Sequence, residues 1–496
     1  METGGIFFQA LCYGSLFLIC ALILANVHSR KIRQAVLLAS SFILYLTWGP
    51  WFAAVLLTSI VVNYVLGKWL RRNQRPLALF TGIVFNLLLL GVFKYLPEAA
   101  AHFNFGSLHA WASLALPLGI SFWTFQAVSY LFDLYRGEEL DPTFSEFALY
   151  MVFFPVTIAG PVCRLPDMLP QFRSESTTPW PDIAQGLRRI AIGVLMMQLA
   201  KLLGQGILEG DGIVSGFDRV NHWSGPDVWC LAFGYGLQLF FDFAGYSHIA
   251  IGAAKTLGIA VPENFDRPFA STSPSIFWTR WHISLSFWIR DYVFLPLAPL
   301  RREMWWRNLA LALSMILFGL WHKATVLFLI WGCYHGALLV MHRQFQQAGR
   351  RFDWDLSGKL WTSLAWIATA ILISLGWIFF RANSLQQASQ MLTTLATPAS
   401  YSSHVLSSSL YMLIAILAAG YALVLLVTDA LDRHTQDRQA EESVPSSTSL
   451  ASRTLALIAR WRWFWIPSLY ALALLFVLII THGQEASASQ LMYRRF

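Results

Sequence analysis

The stretch NLALALSMILFGLWHKATVLFLIWGCYHGALLVM, Asn308 to Met341, decides the reading of this chain. Two apolar runs flank a short polar break, Trp321-His322-Lys323. The lengths suit a helical hairpin, or one broken helix, with an imidazole at the break. Ionisable residues at membrane depth are costly and face a cavity or a partner. Non-helical backbone at that depth is tolerated only where protein or water covers it. His322 therefore has two readings: it lines an internal polar cavity, or it caps a helix end at the water interface beside Trp321 and Lys323.

Composition places that hairpin in a membrane. Soluble domains carry about 25% charged residues; this chain of 496 residues carries 12%, with 22 Trp and 37 Phe. The expectation is an all-α polytopic membrane protein with about ten to twelve spans, by count of apolar runs, and re-entrant pieces between them. Phe7 to Val27 is long enough to span and reads as a retained first helix, since no cleavage pattern follows it. The net charge of +8 comes from Lys and Arg in loops. It forms no clustered patch with an aromatic platform, which argues against a nucleic-acid partner. Cys12, Cys20, Cys163, Cys230 and Cys333 sit mostly inside apolar runs without paired spacing, and read as small core residues rather than disulfides or a zinc site.

Basic clusters orient the spans. Arg30, Lys31 and Arg33 follow the first span; Ala35 to Trp69 reads as two short spans broken at Trp48-Gly49-Pro50-Trp51; Arg71, Arg72 and Arg75 follow. Placing these clusters in the cytoplasm puts the Gly49-Pro50 turn outside. Leu77 to Leu96 then goes out and Trp111 to Leu134 returns to Arg136. Glu146 to Gly160 ends in FFPVTIAGPVCR, whose Pro155, Gly160 and Pro161 predict a kinked or re-entrant segment. Pro166 to Trp180 reads as a loop, Gly186 to Leu208 as a span or amphipathic helix, and Asp227 to Leu257 as an apolar helix carrying Asp242, Tyr246 and His248. Ile276 to Leu297 holds too much Arg, His and Asp to face lipid. Its Trp278, Trp281, Leu285 and Trp288 recur at helical spacing, so it reads as one aromatic-faced helix, either interfacial or buried. Cationic loops on both sides of the Asn308–Met341 hairpin put both its ends inside and turn the His322 break outward. Leu360 to Phe380, Leu410 to Thr428 and Trp463 to Thr481 complete the spans.

The candidates for chemistry are imidazoles. His282 lies in RWHIS, His322 in LWHK and His335 in CYHG, and no carboxylate stands at hydrogen-bonding spacing from the first two. An imidazole near neutrality can take a proton from an alcohol as it attacks an acyl group, and a dry cavity strengthens any donor aimed at the developing oxyanion. Arg280, Arg290 and Lys323 are candidate donors or phosphate holders. Arg290 can equally pair with the adjacent Asp291. Nucleotide-binding, serine-hydrolase and zincin motifs do not occur, and the histidines lack metal-ligand spacing. On residues alone, an enzyme and a transporter with a His-lined interior both fit.

At FFPVTIAGPVCR, ENFDRPF, FWTRWHISLSFWIRDYVFLPL and FGLWHK…WGCYHG the chain resembles the membrane-bound O-acyltransferase (MBOAT) family, and is most similar to its bacterial branch of alginate O-acetylation subunits and teichoic-acid D-alanyl transferases. The resemblance implies an MBOAT-like helical core with re-entrant segments: residues 1–140 as N-terminal spans, 141–345 as the catalytic core, 346–481 as C-terminal spans with a cytoplasmic loop at 429–462, and 482–496 as an extracytoplasmic tail. By the same resemblance His322 matches the family's catalytic histidine and His282 its second histidine. Arg280, Trp281, Ser284, Arg290, Asp291 and Tyr292 fall on the motif that frames the acyl-donor tunnel. Asp242 and Tyr246 in FDFAGYS, Asn264 in the following loop, and Tyr334 and His335 in CYHG join them. Lys323 stands where the family usually has Gly. The ending QLMYRRF is similar to the aromatic tails of polysaccharide-acetylating relatives, which makes Tyr493 a candidate acyl relay. The implied activity is an O-acetyltransferase of the bacterial inner membrane. Its donor would be acetyl-CoA, with no bound cofactor. Its partners would be membrane lipids, an extracytoplasmic SGNH-type acetyltransferase and polysaccharide export machinery. D-alanyl or longer-chain transfer is the alternative.

Overall fold

The computed structural model describes residues 2–102, 114–207, 211–218, 222–354 and 356–441. The candidate relay Tyr493, the span 463–481 and most of the loop 429–462 lie outside the described residues. The architecture is helical; among the described residues the one β-type contact outside helices is an isolated antiparallel bridge between Phe265 and Trp281. Seven helices among the described residues are long and apolar enough to cross a membrane. The larger expected count included segments that are too short or too charged to meet that test, such as α2 (Arg30–Leu46) and α10 (Trp180–Gln205).

The N-terminal part runs α1 (Glu2–Asn26), α2, α3 (Pro50–Asn73), and α4 (Pro76–Leu90). Gly49 has φ +139 and Pro50 opens α3, which is the expected break between the two short spans. A π-turn, Gly91–Tyr95, carries α4 into α5 (Leu96–His102). In the described part of the returning segment, from Leu114 on, the helix is α6 (Ile120–Tyr135).

Next come α7 (Phe144–Val152) and α8 (Phe154–Thr157), kinked at Phe153 as the proline-rich stretch predicts. Thr143 caps α7 in a reciprocal capping box with Glu146. The Glu146 carboxylate is buried and receives Arg173 through Nε (3.0 Å) and an Nη (2.9 Å), together with Arg30 and Gln34. Burial pushes this carboxyl up, but the bonds from Arg173, the Thr143 amide and Arg30 outweigh it and hold it at about 2. The expected loop 166–180 is corrected in part: Leu165–Phe172 forms α9. Pro166 sits in its first turn, where a missing N–H costs nothing.

Helix α10 packs antiparallel on α12 (Gly225–Thr256), with short α11 (Ile213–Asp218) between them in sequence. Backbones touch here because glycines face each other: a Cβ on Gly193 would lie 2.4 Å from the Gly245 carbonyl, and one on Gly252 2.5 Å from the Gly186 carbonyl. Such contact makes α12 the largely buried axis of the bundle.

Ile276 to Leu297 is not one helix. It divides into α13 (Pro274–Arg280), α14 (Ile283–Ile289), a π-turn at Arg290–Phe294 and α15 (Leu295–Leu297). The regular tryptophan spacing is broken at Trp281-His282, where the Phe265 bridge pulls Trp281 into extended backbone. The hairpin is α16 (Met304–His322) and α17 (Val326–Arg351). Gly319 lies against the Phe328 carbonyl and Gly332 against Ile316, so the two arms pack antiparallel. The chain continues as α18 (Lys359–Arg381), α19 (Leu385–Ala396), which the apolar pattern did not reveal, and α20 (Ser408–Glu441).

Candidate active site

His322 ends α16. The next residue, Lys323, is extended, and Thr325 opens α17. A ring of aromatic side chains from both arms and from α18 surrounds the imidazole. Phe318 stacks on it at 5.2 Å, Trp321 lies at 4.7 Å, Phe380 at 5.2 Å, Trp331 at 5.9 Å and Phe328 at 6.1 Å between ring centroids. His322 is partly exposed and lines a cavity, at the point where its helix ends.

His282 reaches the same cavity from another break. Its backbone is left-handed, φ 44° and ψ 53°, a conformation that costs a non-glycine residue about 1–3 kcal/mol and clusters at functional sites. A latch of hydrogen bonds holds it there. The Asn264 carbonyl accepts from the Ile283 amide (2.9 Å), and the Arg280 carbonyl accepts from the Asp266 amide (3.0 Å). The Asn264 side chain donates to Ser247 (3.0 Å) and accepts from the Ser284 hydroxyl (2.6 Å), which in turn accepts from the Val162 amide (2.9 Å). His282 is buried, edge-on to Phe243 at 4.5 Å. Its Nε2 has no hydrogen-bond partner among the described residues. Phe318 stands between the two imidazoles, 5.2 Å from one ring and 6.5 Å from the other.

The shared cavity has a volume of ≈ 530 Å³. Its wall includes both histidines, Ser121, Tyr246, Trp278, Trp281, Trp331 and Trp377, and it extends to Trp48 and Phe52 beside the Gly49-Pro50 turn. The residues beside that turn and the His322 break therefore line one cavity. No carboxylate or guanidinium is part of the described wall. Three indole N–H groups of wall residues, on Trp278, Trp321 and Trp331, are buried without a hydrogen-bond partner among the described residues. An unmet buried donor costs about 1–3 kcal/mol, which an entering carbonyl oxygen can offset. The arrangement offers two imidazoles, the hydroxyls of Ser121 and Tyr246, and a largely apolar wall: a proton acceptor and a low-dielectric space for a polar reaction.

The remaining sequence candidates divide into groups. Tyr246 and Trp281 line the cavity with the histidines. Asn264 and Ser284 build the latch behind His282. Asp242 is buried on the axis helix, and Arg280 is half-buried at the end of α13. Arg290 and Asp291 do pair (2.6 Å), and Asp291 also receives Arg164 (2.6 Å). Burial raises the Asp291 carboxyl, and the two guanidinium bonds more than reverse that, leaving it below the usual carboxylate range. Tyr292 donates to Asp133 (2.7 Å), and Arg136 and Arg164 stand over its ring. This cluster lies away from the cavity wall. His335 is fully buried behind Trp278 and Trp331, and Tyr334 donates to the Leu372 carbonyl (2.8 Å). Lys323 turns from the cavity to Glu98 (3.3 Å). Sequence reading missed Asp133, Arg164, Ser121 and Phe380. Asp133, a lone carboxylate in the apolar run YLFDLYR, carried a usable signal.

Residues 113–385, which include both imidazoles, match the membrane-bound O-acyltransferase family. The chain belongs to that family. It is a multi-pass membrane acyltransferase. It is 34% identical over 396 residues to a protein of Azotobacter vinelandii named probable alginate O-acetylase AlgI, covering 76% of this chain and 75% of that one. It is 32% identical over 395 residues to the peptidoglycan O-acetyltransferase of Helicobacter pylori, covering 72% of each chain. Against the teichoic acid D-alanyltransferase of Bacillus subtilis the identity is 29% over 279 residues, 53% of this chain and 68% of that one.

Proposed function

We propose that this acyltransferase moves acetyl groups from cytoplasmic acetyl-CoA across the bacterial inner membrane for O-acetylation of an exported polysaccharide or cell-wall polymer. The observation that carries the reading is the meeting of His322 and His282 on one largely apolar cavity. His322 takes the proton of the acceptor hydroxyl as the hydroxyl oxygen attacks the acetyl carbonyl, and the thiolate leaves. His282, held rigidly and buried, positions or polarises the acyl group. The acceptor hydroxyl belongs to Tyr493 or to a partner. An SGNH-type acetyltransferase outside the membrane, working with the export machinery, then passes the group to sugar. The names of the Azotobacter and Helicobacter relatives support acetyl as the group and a glycan polymer as its destination. The cavity wall supports acetyl over D-alanyl, because no carboxylate of the described wall meets the ammonium of a D-alanyl ester.

The test is intact-protein mass spectrometry after incubation with isotope-labelled acetyl-CoA, with and without candidate acceptors, on wild type, His322→Ala and Tyr493→Phe. Labelled product that disappears in His322→Ala, with the variant still inserted and folded, is the expected result. Retained transfer in that variant removes His322 from the chemistry. Loss in Tyr493→Phe as well identifies the relay.

A further inference from the structure

At the His322 break the Lys323 amide donates to the Gly319 carbonyl (3.3 Å) and the Thr325 amide to the Lys323 carbonyl (2.9 Å). Support also comes from the π-turn and first α5 turn, Gly91 to Glu98. Three residues of this segment hold the break on both sides of the imidazole. The Tyr95 hydroxyl stands 3.2 Å from the Leu320 carbonyl and 3.3 Å from the Trp321 carbonyl. The Lys94 ammonium lies 4.7 Å from the centre of the Trp321 indole and 3.4 Å from the Ser121 hydroxyl. Glu98 pairs with Lys323 at 3.3 Å.

These contacts have a physical logic. The last carbonyls of a helix have no partner of their own, and within a membrane an unmet carbonyl costs several kcal/mol. Tyr95 serves two of them with one hydroxyl at the point where α16 stops. The Lys94 side chain over the indole packs against the ring immediately before His322. The Glu98–Lys323 pair fixes the residue immediately after it. A π-turn inserts one extra residue into a helix and rotates the turns beyond it, and such bulges recur at functional sites. Here the turn lies at the position from which Lys94, Tyr95 and Glu98 face the break together.

We infer that the π-turn segment is a clamp that sets the orientation of His322, with Tyr95, Lys94 and Glu98 as positioning residues for acyl transfer. The inference rests on His322 being the base. Its prediction for the imidazole's orientation is independent of which donor is used.

The experiment uses the full chain in lipid nanodiscs, comparing wild type, Tyr95→Phe, Glu98→Lys, Lys323→Glu and the swapped pair. Carbethoxylation of His322 by diethyl pyrocarbonate, read by peptide mass spectrometry against exposed His404 as internal reference, reports the ring's accessibility without any donor. Tyr95→Phe is expected to change the His322 rate by about threefold or more at a temperature where the variant is fully folded, with the His404 rate unchanged. A misplacement near 1 Å costs about 10²-fold in rate. The turnover number in acetyl transfer should therefore fall about 10- to 100-fold while KM stays within about twofold. The swapped pair should recover what either single charge reversal loses. An unchanged His322 rate in Tyr95→Phe overturns the clamp, whatever the transfer assay shows. A wild type that takes no acetyl from acetyl-CoA overturns the donor reading, while the carbethoxylation result still decides the clamp.

Discussion

The two histidines sit at breaks that look alike in sequence and are built differently. Both are Trp-His pairs at a helix end, Trp281-His282 just after α13 and Trp321-His322 closing α16. At the first, the backbone itself is bent into a left-handed turn and fastened by a buried lattice of amides and hydroxyls around Asn264. At the second, the helix simply ends, and side chains from another segment hold it. One imidazole is immobilised from behind. The other is partly exposed to the cavity, stacked on Phe318 and carried on ordinary right-handed backbone. A rigid partner and an accessible base are the division of labour that general-base acyl transfer asks for.

Removing the imidazoles one at a time breaks this comparison most directly. His322→Ala should abolish transfer, a loss of about 10³-fold or more once base catalysis and its placement are both gone. His282→Asn keeps a residue that tolerates the left-handed region and should fold, with transfer reduced about 10²-fold. Initial rates of labelled acetyl transfer on matched amounts of inserted protein measure both. Equal losses in the two variants would show that the imidazoles act as one unit, and the double variant would then lose no more than either single.

Asn264→Ala sharpens the contrast from the structural side. It strips the partner from Ser247 and Ser284 while leaving both imidazoles in place. A buried polar group left without its partner costs about 1–3 kcal/mol, so the variant should melt at lower temperature and lose transfer through His282. The corresponding change at the other break, Tyr95→Phe, takes the donor from the Leu320 and Trp321 carbonyls and should lower the melting temperature as well, although the aromatic ring and its packing stay. If Asn264→Ala is as stable as wild type, the left-handed turn is held by packing rather than by the latch.

These two breaks also differ in how far they are legible in the sequence. The His322 break is legible because a polar triplet interrupts a long apolar run, and glycines at Gly319 and Gly332 allow the arms to close into a hairpin. The His282 break is hidden: Trp278, Trp281, Leu285 and Trp288 keep a helical period straight through it. Only the strand-like contact from Phe265 and the Asn264 lattice, both supplied from an upstream loop, override that period. A tertiary latch leaves no local signature. The same limit applies to the clamp, since the π-turn in GVFKY follows an ordinary apolar helix and its purpose shows only when it meets residues far along the chain. Charge pairing is readable where partners are neighbours, as with Arg290 and Asp291, and not where Arg164 joins them. Helix α19 escapes because it is amphipathic and lies between two stronger apolar spans.

Acid gives the smallest effect and separates the breaks by their distant supports. Glu146 is the buried anchor of α7, and that helix reaches the His282 latch: Tyr150 in α7 stands 3.0 Å from the Cys163 carbonyl, next to the Val162 amide that binds Ser284. The folded Glu146 carboxyl is held at about 2 by Arg173, Thr143 and Arg30 against the upward push of burial. A carboxyl depressed on folding stabilises the protein fully above its unfolded value, about 4.3, and loses that contribution as pH falls through the folded one. The arginines are partly exposed, so screening trims the contribution to on the order of 2 kcal/mol. Stability should therefore be flat from neutral pH to about 5 and decline below it, and Glu146→Gln should remove most of that decline while lowering stability at neutral pH. Hydrogen exchange followed during the acid titration should open residues 160–164 and 282–284 before 320–325, because the clamp on the second break does not pass through α7. Simultaneous opening of both regions would mean that the two breaks share one frame and that their different construction has no consequence for stability.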